Sequence, residues 1–155
     1  MDLIGLCRGR PQRSNVLYEQ TSGRFSLTTD TTRIDNDVVE SFLRQTYWAA
    51  ERTRERIDES IRNSLCFGLF EGERLIGFAR VVTDYADFAW LCDVFILEEY
   101  RGQMLGKWAL EAILAHPRLQ GLRRWVLATK DAHGLYAQFG FQALTAPDRW
   151  MERLG

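Results

Sequence analysis

The chain has 155 residues, and its 46% hydrophobic and 26% charged composition is that of an ordinary globular protein able to bury one core. A net charge of −1 excludes a general attraction to nucleic acid or anionic lipid, and no apolar run is long enough to span a bilayer as a helix. Three cysteines, Cys7, Cys66 and Cys92, lack metal-ligand spacing, so no metal is expected, and as free thiols they suit the cytoplasm.

Residues 1–22 are polar, arginine-bearing and weakly periodic. They are expected to form a loosely ordered extension to a single domain over 23–155. Asp2 stands where a signal peptide carries a basic region, so no leader is expected. Phe25 to Thr29 alternates apolar and polar residues and predicts a first strand. Asp35, Asn36 and Asp37 are capping residues ahead of a helix with Val39, Phe42 and Leu43 on one face. Residues 53–63 predict a second, highly charged helix whose apolar face is Ile57 and Ile61.

Leu65 to Phe70 and Arg74 to Thr83 predict two strands joined as a hairpin through Glu71-Gly72-Glu73. Asp84 to Asp87 turns the chain into a strand from Phe88 to Ile96. A helix from Met104 to about Ala115 follows, stopped by Pro117. Trp125 to Ala128 predicts a strand and Ala132 to Phe139 a helix, with Gly140 at the left-handed position that ends it. Phe141 to Leu144 and Arg149 to Met151 are expected to close the sheet. Helices separate strands only in the second half, so the expected fold is mixed α/β. Its sheet should be largely antiparallel, with six to seven strands and about four flanking helices. Arg52, Arg54 and Arg56, like Arg118, Arg123 and Arg124, read as solvated faces.

The most informative stretch is Cys92 to Lys107. A strand ends, a short basic loop with Gly102 and Gly106 follows, and a helix begins with no spacer. Free N–H groups and the helix dipole at such a junction suit a phosphate or pyrophosphate. Only three residues lie between the glycines and Lys107 precedes Trp108, which excludes a Walker loop, and there is no GxGxxG. About thirty residues further on, Leu135-Tyr136-Ala137-Gln138-Phe139-Gly140-Phe141 places a tyrosine on a short helix.

Together these segments resemble the GNAT superfamily of acyl-CoA-dependent N-acyltransferases. The resemblance runs from about Phe25 to Met151. Arg101-Gly102-Gln103-Met104-Leu105-Gly106 matches the superfamily pattern Gln/Arg-x-x-Gly-x-Gly/Ala at its first and last positions. Met104 replaces the middle glycine. A methionine there is expected to keep helical angles and point its side chain away from the ligand. The resemblance implies that Arg101, Gly102, Gln103, Met104, Leu105, Gly106 and Lys107 hold the pyrophosphate of acetyl-CoA. It also implies that Val94, Phe95 and Ile96 pair with the pantetheine arm like an extra strand. Thr129 stands where the superfamily often has a coenzyme-binding asparagine.

Acyl transfer to an amine needs a neutral amine, a donor for the developing oxyanion and a proton for the departing thiolate. Tyr136 matches the superfamily tyrosine that supplies that proton and is also expected against the coenzyme. Polyamine acetyltransferases carry a glutamate at the position of Cys92, followed by an aspartate matching Asp93. Here the glutamate is missing. Strand alternation places Trp90, Cys92 and Val94 on one face and Leu91, Asp93 and Phe95 on the other. Asp93 then reads as structural, and a water chain or a carboxylate such as Glu40 is left as the base. Cys92 is not expected to act as a nucleophile, because no histidine accompanies it. His133 reads as a helix-surface residue, and His116 as a helix C-terminal residue favoured by the dipole.

Tyr47, Trp48, Arg52, Trp90 and Cys92 are candidate acceptor-site residues, for a small amine with an apolar or carboxylate-bearing body. The expected activity is acetyl transfer from acetyl-CoA to a primary amine of a small molecule or peptide. Nucleic acid and membrane are not expected partners, and an exposed C-terminal strand edge would allow a homodimer. The rival is a non-catalytic acyl-CoA-binding or sensing module, favoured by Met104 and the absent base. A nucleic-acid-associated acetyltransferase using Arg52 to Arg56 is a further alternative, disfavoured by the net charge.

Overall fold

The computed structural model describes residues 17–155. Six strands form one sheet in sequential order: β1 (Glu19–Ser22), β2 (Phe25–Thr28), β3 (Leu65–Glu71), β4 (Arg74–Thr83), β5 (Phe88–Ile96) and β6 (Arg124–Val126). All neighbours are antiparallel except β5 and β6, which run parallel. The helices are α1 (Asn36–Leu43), α2 (Arg54–Arg62), α3 (Leu105–Leu114) and α4 (His133–Ala137).

Local chemistry sets the helix ends. The Asp35 carboxylate accepts from the N–H groups of Asp37 and Val38 and starts α1, and the Thr53 hydroxyl accepts from Arg56 N–H and starts α2. Gly140, at φ +84°, provides the left-handed residue beyond α4. In the turn before β5, the Asp84 carboxylate accepts from the N–H groups of Ala86, Asp87 and Phe88. These donors hold its pKa down at about 2.

The sheet has a core on each side. On one side Leu27, Phe67, Leu69, Ile76, Val81 and Leu91 pack against Leu105, Ala109, Leu110 and Ile113 of α3. On the other, Cys66, Phe70, Leu75, Phe78 and Phe95 pack against Val39 and Leu43 of α1 and Ile57 and Ile61 of α2. Burial of each large aliphatic or phenyl group contributes about 1.5–3 kcal/mol, enough to fix which face each helix covers.

Four sequence expectations need correction. Glu19–Ser22, placed within the extension, is a sheet strand, although residues 1–16 and Cys7 lie outside the described residues. It has polar side chains exposed on both faces, so no alternation marks it. Phe141–Leu144 and Arg149–Met151 are not strands; Pro147 opens a short 3₁₀ turn through Arg149, and proline offers no ladder donor. His116 does follow the end of α3, but it is not the dipole-favoured cation expected there. It is buried, its Nδ1 accepts from Arg118 N–H at 3.2 Å, and its ring packs edge-on to Tyr18 and Phe67. Burial, then the Arg118 charge, lowers its pKa, so the ring is held neutral.

The fourth correction concerns β5. Its register against β4 slips between Phe78 and Arg80, and Asp93 has φ +52°, so the strand bulges there. The bulge breaks the expected alternation. Leu91 faces the α3 core whereas Phe95 faces the α1–α2 core, and Val94 and Ile96 pack toward α3.

Candidate active site

The site begins at an open strand edge. β6 pairs only with Phe88, Ala89 and Trp90 of β5, so among the described residues the rest of β5 has no neighbour on that side. The Leu97 N–H donates to the Ile76 carbonyl at 2.8 Å. This makes Ile76–Leu97, and by alternation Phe78–Phe95, the hydrogen-bonded pairs with β4. The backbone groups of Ile96, and of Val94 two residues back, therefore point to the open side. Arg101 Nε donates to the Ile96 carbonyl at 3.2 Å, the one side chain laid along that edge among the described residues.

A 3₁₀ turn at Glu98–Tyr100 carries the chain from β5 to the loop before α3. Gly102 has φ +76° and Met104 has φ +63° with ψ 10°. Met104 is thus left-handed rather than helical, which corrects the expectation and gives a physical reason for glycine at this position: without a Cβ the conformation carries no steric cost. Its side chain is 67% exposed. Met104 makes no side-chain cap, and the first intrahelical bond runs from Trp108 N–H to the Met104 carbonyl. The N–H groups of Leu105, Gly106 and Lys107 therefore lack helical partners, and no acid occupies the first turn. A Cβ built on Gly106 would meet nothing within 4 Å.

Both features open into one cleft of about 1280 Å³. Val94, Phe95 and Ile96 form one wall, and Arg101, Gly102 and Met104 to Lys107 line one end. Val38, Phe42, Tyr47 and Trp48 come from α1 and the loop after it, and Leu135 and Tyr136 from α4. The Phe42 ring stacks on Phe95 at 3.9 Å between centroids, which brings α1 against the strand. The residues fit acetyl-CoA: free N–H groups, two cations and an unfilled space at Gly106 suit a pyrophosphate, and the open edge suits an amide-bearing arm.

Tyr136 is half-buried, with its ring edge-on to Phe141 at 5.9 Å. Its hydroxyl bonds to no protein group among the described residues. Burial, then the nearby Asp131 charge, raises its pKa above that of an ordinary tyrosine, so it stays protonated at neutral pH.

Other sequence candidates do not line the cleft itself. Gln103 and Thr129 do not line the cleft; the Thr129 hydroxyl accepts from Ala132 N–H at 3.1 Å, in the turn before α4. Arg52, Trp90 and Cys92 also lie outside its lining. Trp90 is 47% exposed, and the Cys92 thiol donates to the Arg80 carbonyl. Burial pushes the Cys92 thiol up to about 11 and the Cys66 thiol to about 12, which leaves neither as a ready nucleophile. Glu40 accepts from Arg44 and Arg54. These bonds lower its pKa, which makes it a weak base. His133 is exposed.

Most of the grouped arginines are engaged within the chain. Arg54 bonds to Asp37, Glu40 and Asp58, Arg123 to Asp87, and Arg118 lies over the Tyr85 ring. The feature missed in the sequence is the engagement of Arg52 and Arg80 with Asp93. Residues from the α1–α2 loop and from β4 meet there only because β5 bulges. Among the described residues no group of three or more His, Cys, Asp or Glu could hold a metal, and no helix is long and apolar enough to cross a membrane.

Known proteins match this architecture. The model of the acetyltransferase (GNAT) family matches residues 33–141. A solved GNAT-family protein of Xanthomonas campestris pv. campestris is 44% identical, superposes with a TM-score of 0.83, and is aligned over 87% of this chain and 96% of its own. An inferred acetyltransferase of Gibberella zeae is 28% identical over 76% of this chain and 78% of its own length. The N-acetylglutamate synthase of Neisseria gonorrhoeae, solved with coenzyme A and N-acetyl-glutamate, shares the fold. It is 18% identical with a TM-score of 0.67, over 84% of this chain and 31% of its own.

Proposed function

Because this chain belongs to the acetyltransferase (GNAT) family, we propose that it transfers an acetyl group from acetyl-CoA to a primary amine of a small molecule or peptide by direct attack. The observation that carries this is the convergence, in one cleft, of the open β5 edge, the uncapped first turn of α3 and the protonated Tyr136. Acetyl-CoA supplies an activated acetyl carbon and a thiolate leaving group.

Leu105, Gly106 and Lys107 hold the pyrophosphate through backbone N–H groups, with Arg101 and Lys107 adding positive charge. Val94 and Ile96 align the pantetheine arm, for which Arg101 releases the Ile96 carbonyl. Tyr136 keeps a proton at Oη for the departing sulfur. Water takes the proton of the amine, since Glu40 is held by arginines. The free thiols Cys66 and Cys92 fit work in a reducing compartment such as the cytoplasm.

Thiol release from acetyl-CoA with a panel of primary amines tests the proposal. Tyr136→Phe is expected to lower kcat by about 10²- to 10⁴-fold with acetyl-CoA affinity retained. An unchanged kcat removes Tyr136 from the mechanism. Acetyl-CoA binding with no thiol release for any amine supports the binding-module alternative instead.

A further inference from the structure

Asp93 is gripped by two guanidinium groups. Arg80 Nε donates to Oδ2 at 2.8 Å, and Arg52 Nη1 donates to Oδ1 and Oδ2 at 3.0 and 2.8 Å. Arg80 Nη1 also donates to Ser64 Oγ at 3.0 Å. The side chains of Asp93, Arg80 and Arg52 are 2%, 10% and 31% exposed. Two cations thus share one carboxylate, and neither has a second acidic partner among the described residues. Arg80 Nη2 and the Nε and Nη2 of Arg52 donate to no protein acceptor there. The Arg52 side chain is 31% exposed, so its free edge reaches solvent, where an anion can balance the excess positive charge.

The place is next to the proposed chemistry. Asp93 immediately precedes Val94, and Arg52 follows Trp48 by four positions; Val94 and Trp48 both line the cleft. The free Nε and Nη2 of Arg52 form one edge of a planar fork, which matches the two oxygens of a carboxylate. The uncompensated charge is a single positive one, which suits a carboxylate better than a phosphate dianion. Resting on the acetyl-transfer proposal, we infer that the acceptor is an amine carrying a carboxylate, which the free edge of Arg52 takes while Arg80 beneath reinforces the positive field.

Titration of the coenzyme A-saturated protein with N-acetyl derivatives of glycine, alanine, glutamate, lysine and phenylalanine, each as free acid and as α-carboxamide, tests this without turnover. At least one acid is expected to bind about tenfold or more tightly than its amide. Arg52→Gln should bring that ratio to about one, and Arg52→Lys should restore part of it, both shown by their melts to be folded at the titration temperature and both with unchanged acetyl-CoA affinity. Equal binding of every acid and amide, or a preference that persists in Arg52→Gln, overturns the inference. So does tighter binding of N-acetyl-O-phosphoethanolamine than of any acid. Repeating the titrations without coenzyme separates the two proposals: failure to bind acetyl-CoA counts against acetyl transfer, while the acid–amide ratio still decides on the carboxylate site.

Discussion

Replacing Met104 by glycine should stabilise this protein, an unusual expectation for a substitution at the mouth of a helix. Met104 holds φ +63° and ψ 10°, a conformation that costs a residue with a Cβ about 1–2 kcal/mol. Glycine escapes that cost but loses about 0.5–1 kcal/mol through its greater freedom in the unfolded chain. The side chain is 67% exposed, so little packing is lost. The net gain is centred at about 0.8 kcal/mol within a span of about 0 to 1.5, which raises Tm by about 2–3 °C at the centre for a chain of this size. Met104→Ala is the control: it keeps the Cβ, so it should melt close to the natural protein. Thermal melts of the three proteins decide. A Met104→Gly protein that melts no higher than the natural one, or a Met104→Ala protein that gains as much, refutes left-handed strain at this position.

Further substitutions probe the remaining parts. Gly106→Leu puts a side chain into the open space at the first turn of α3; Tm should hold or rise while acetyl-CoA affinity falls by about tenfold or more in calorimetry. Asp93→Ala leaves Arg80 and Arg52 without their carboxylate and should cost about 3–5 kcal/mol in urea unfolding. The folded-state pKa of His116 is lowered, so its contribution is full above the unfolded-state value of about 6.5 and is lost as pH falls through the folded one. His116→Gln should therefore flatten the fall in stability on the acid side of neutrality, measured by melts across that range. In the folded protein Cys92 should react with iodoacetamide more slowly than a free thiol at pH 8, and denaturant should remove the difference, as mass spectrometry would show.

Much of the fold and part of the cleft's lining were legible because each rested on local chemistry. Asp35 and Thr53 cap their helices, β3 and β4 form the expected hairpin, and the strand–loop–helix junction from Val94 to Lys107 stands where expected. What escaped depended on long-range context. The polar Glu19–Ser22 strand has no buried face to betray it and exists because β2 pairs with it. The strand patterns at Phe141 and Arg149 find no ladder. The bulge at Asp93 is invisible to a two-residue period, and it reassigns the faces of Asp93, Val94 and Phe95. That shift exposes the Arg52–Asp93–Arg80 cluster as a group, although Arg52 was already a candidate by its aromatic neighbours. The backbone of Met104 was misjudged because a motif position names a residue type, not the torsion that selected it.

The most direct test of the coenzyme site is a calorimetric titration of the folded protein with acetyl-CoA. Single-site binding in the micromolar range is expected, matched by coenzyme A and lost in Gly106→Leu. The absence of binding heat across temperatures that vary the enthalpy, in protein shown to be folded by its melt, would contradict the assignment of the β5 edge and the first turn of α3 as a coenzyme site.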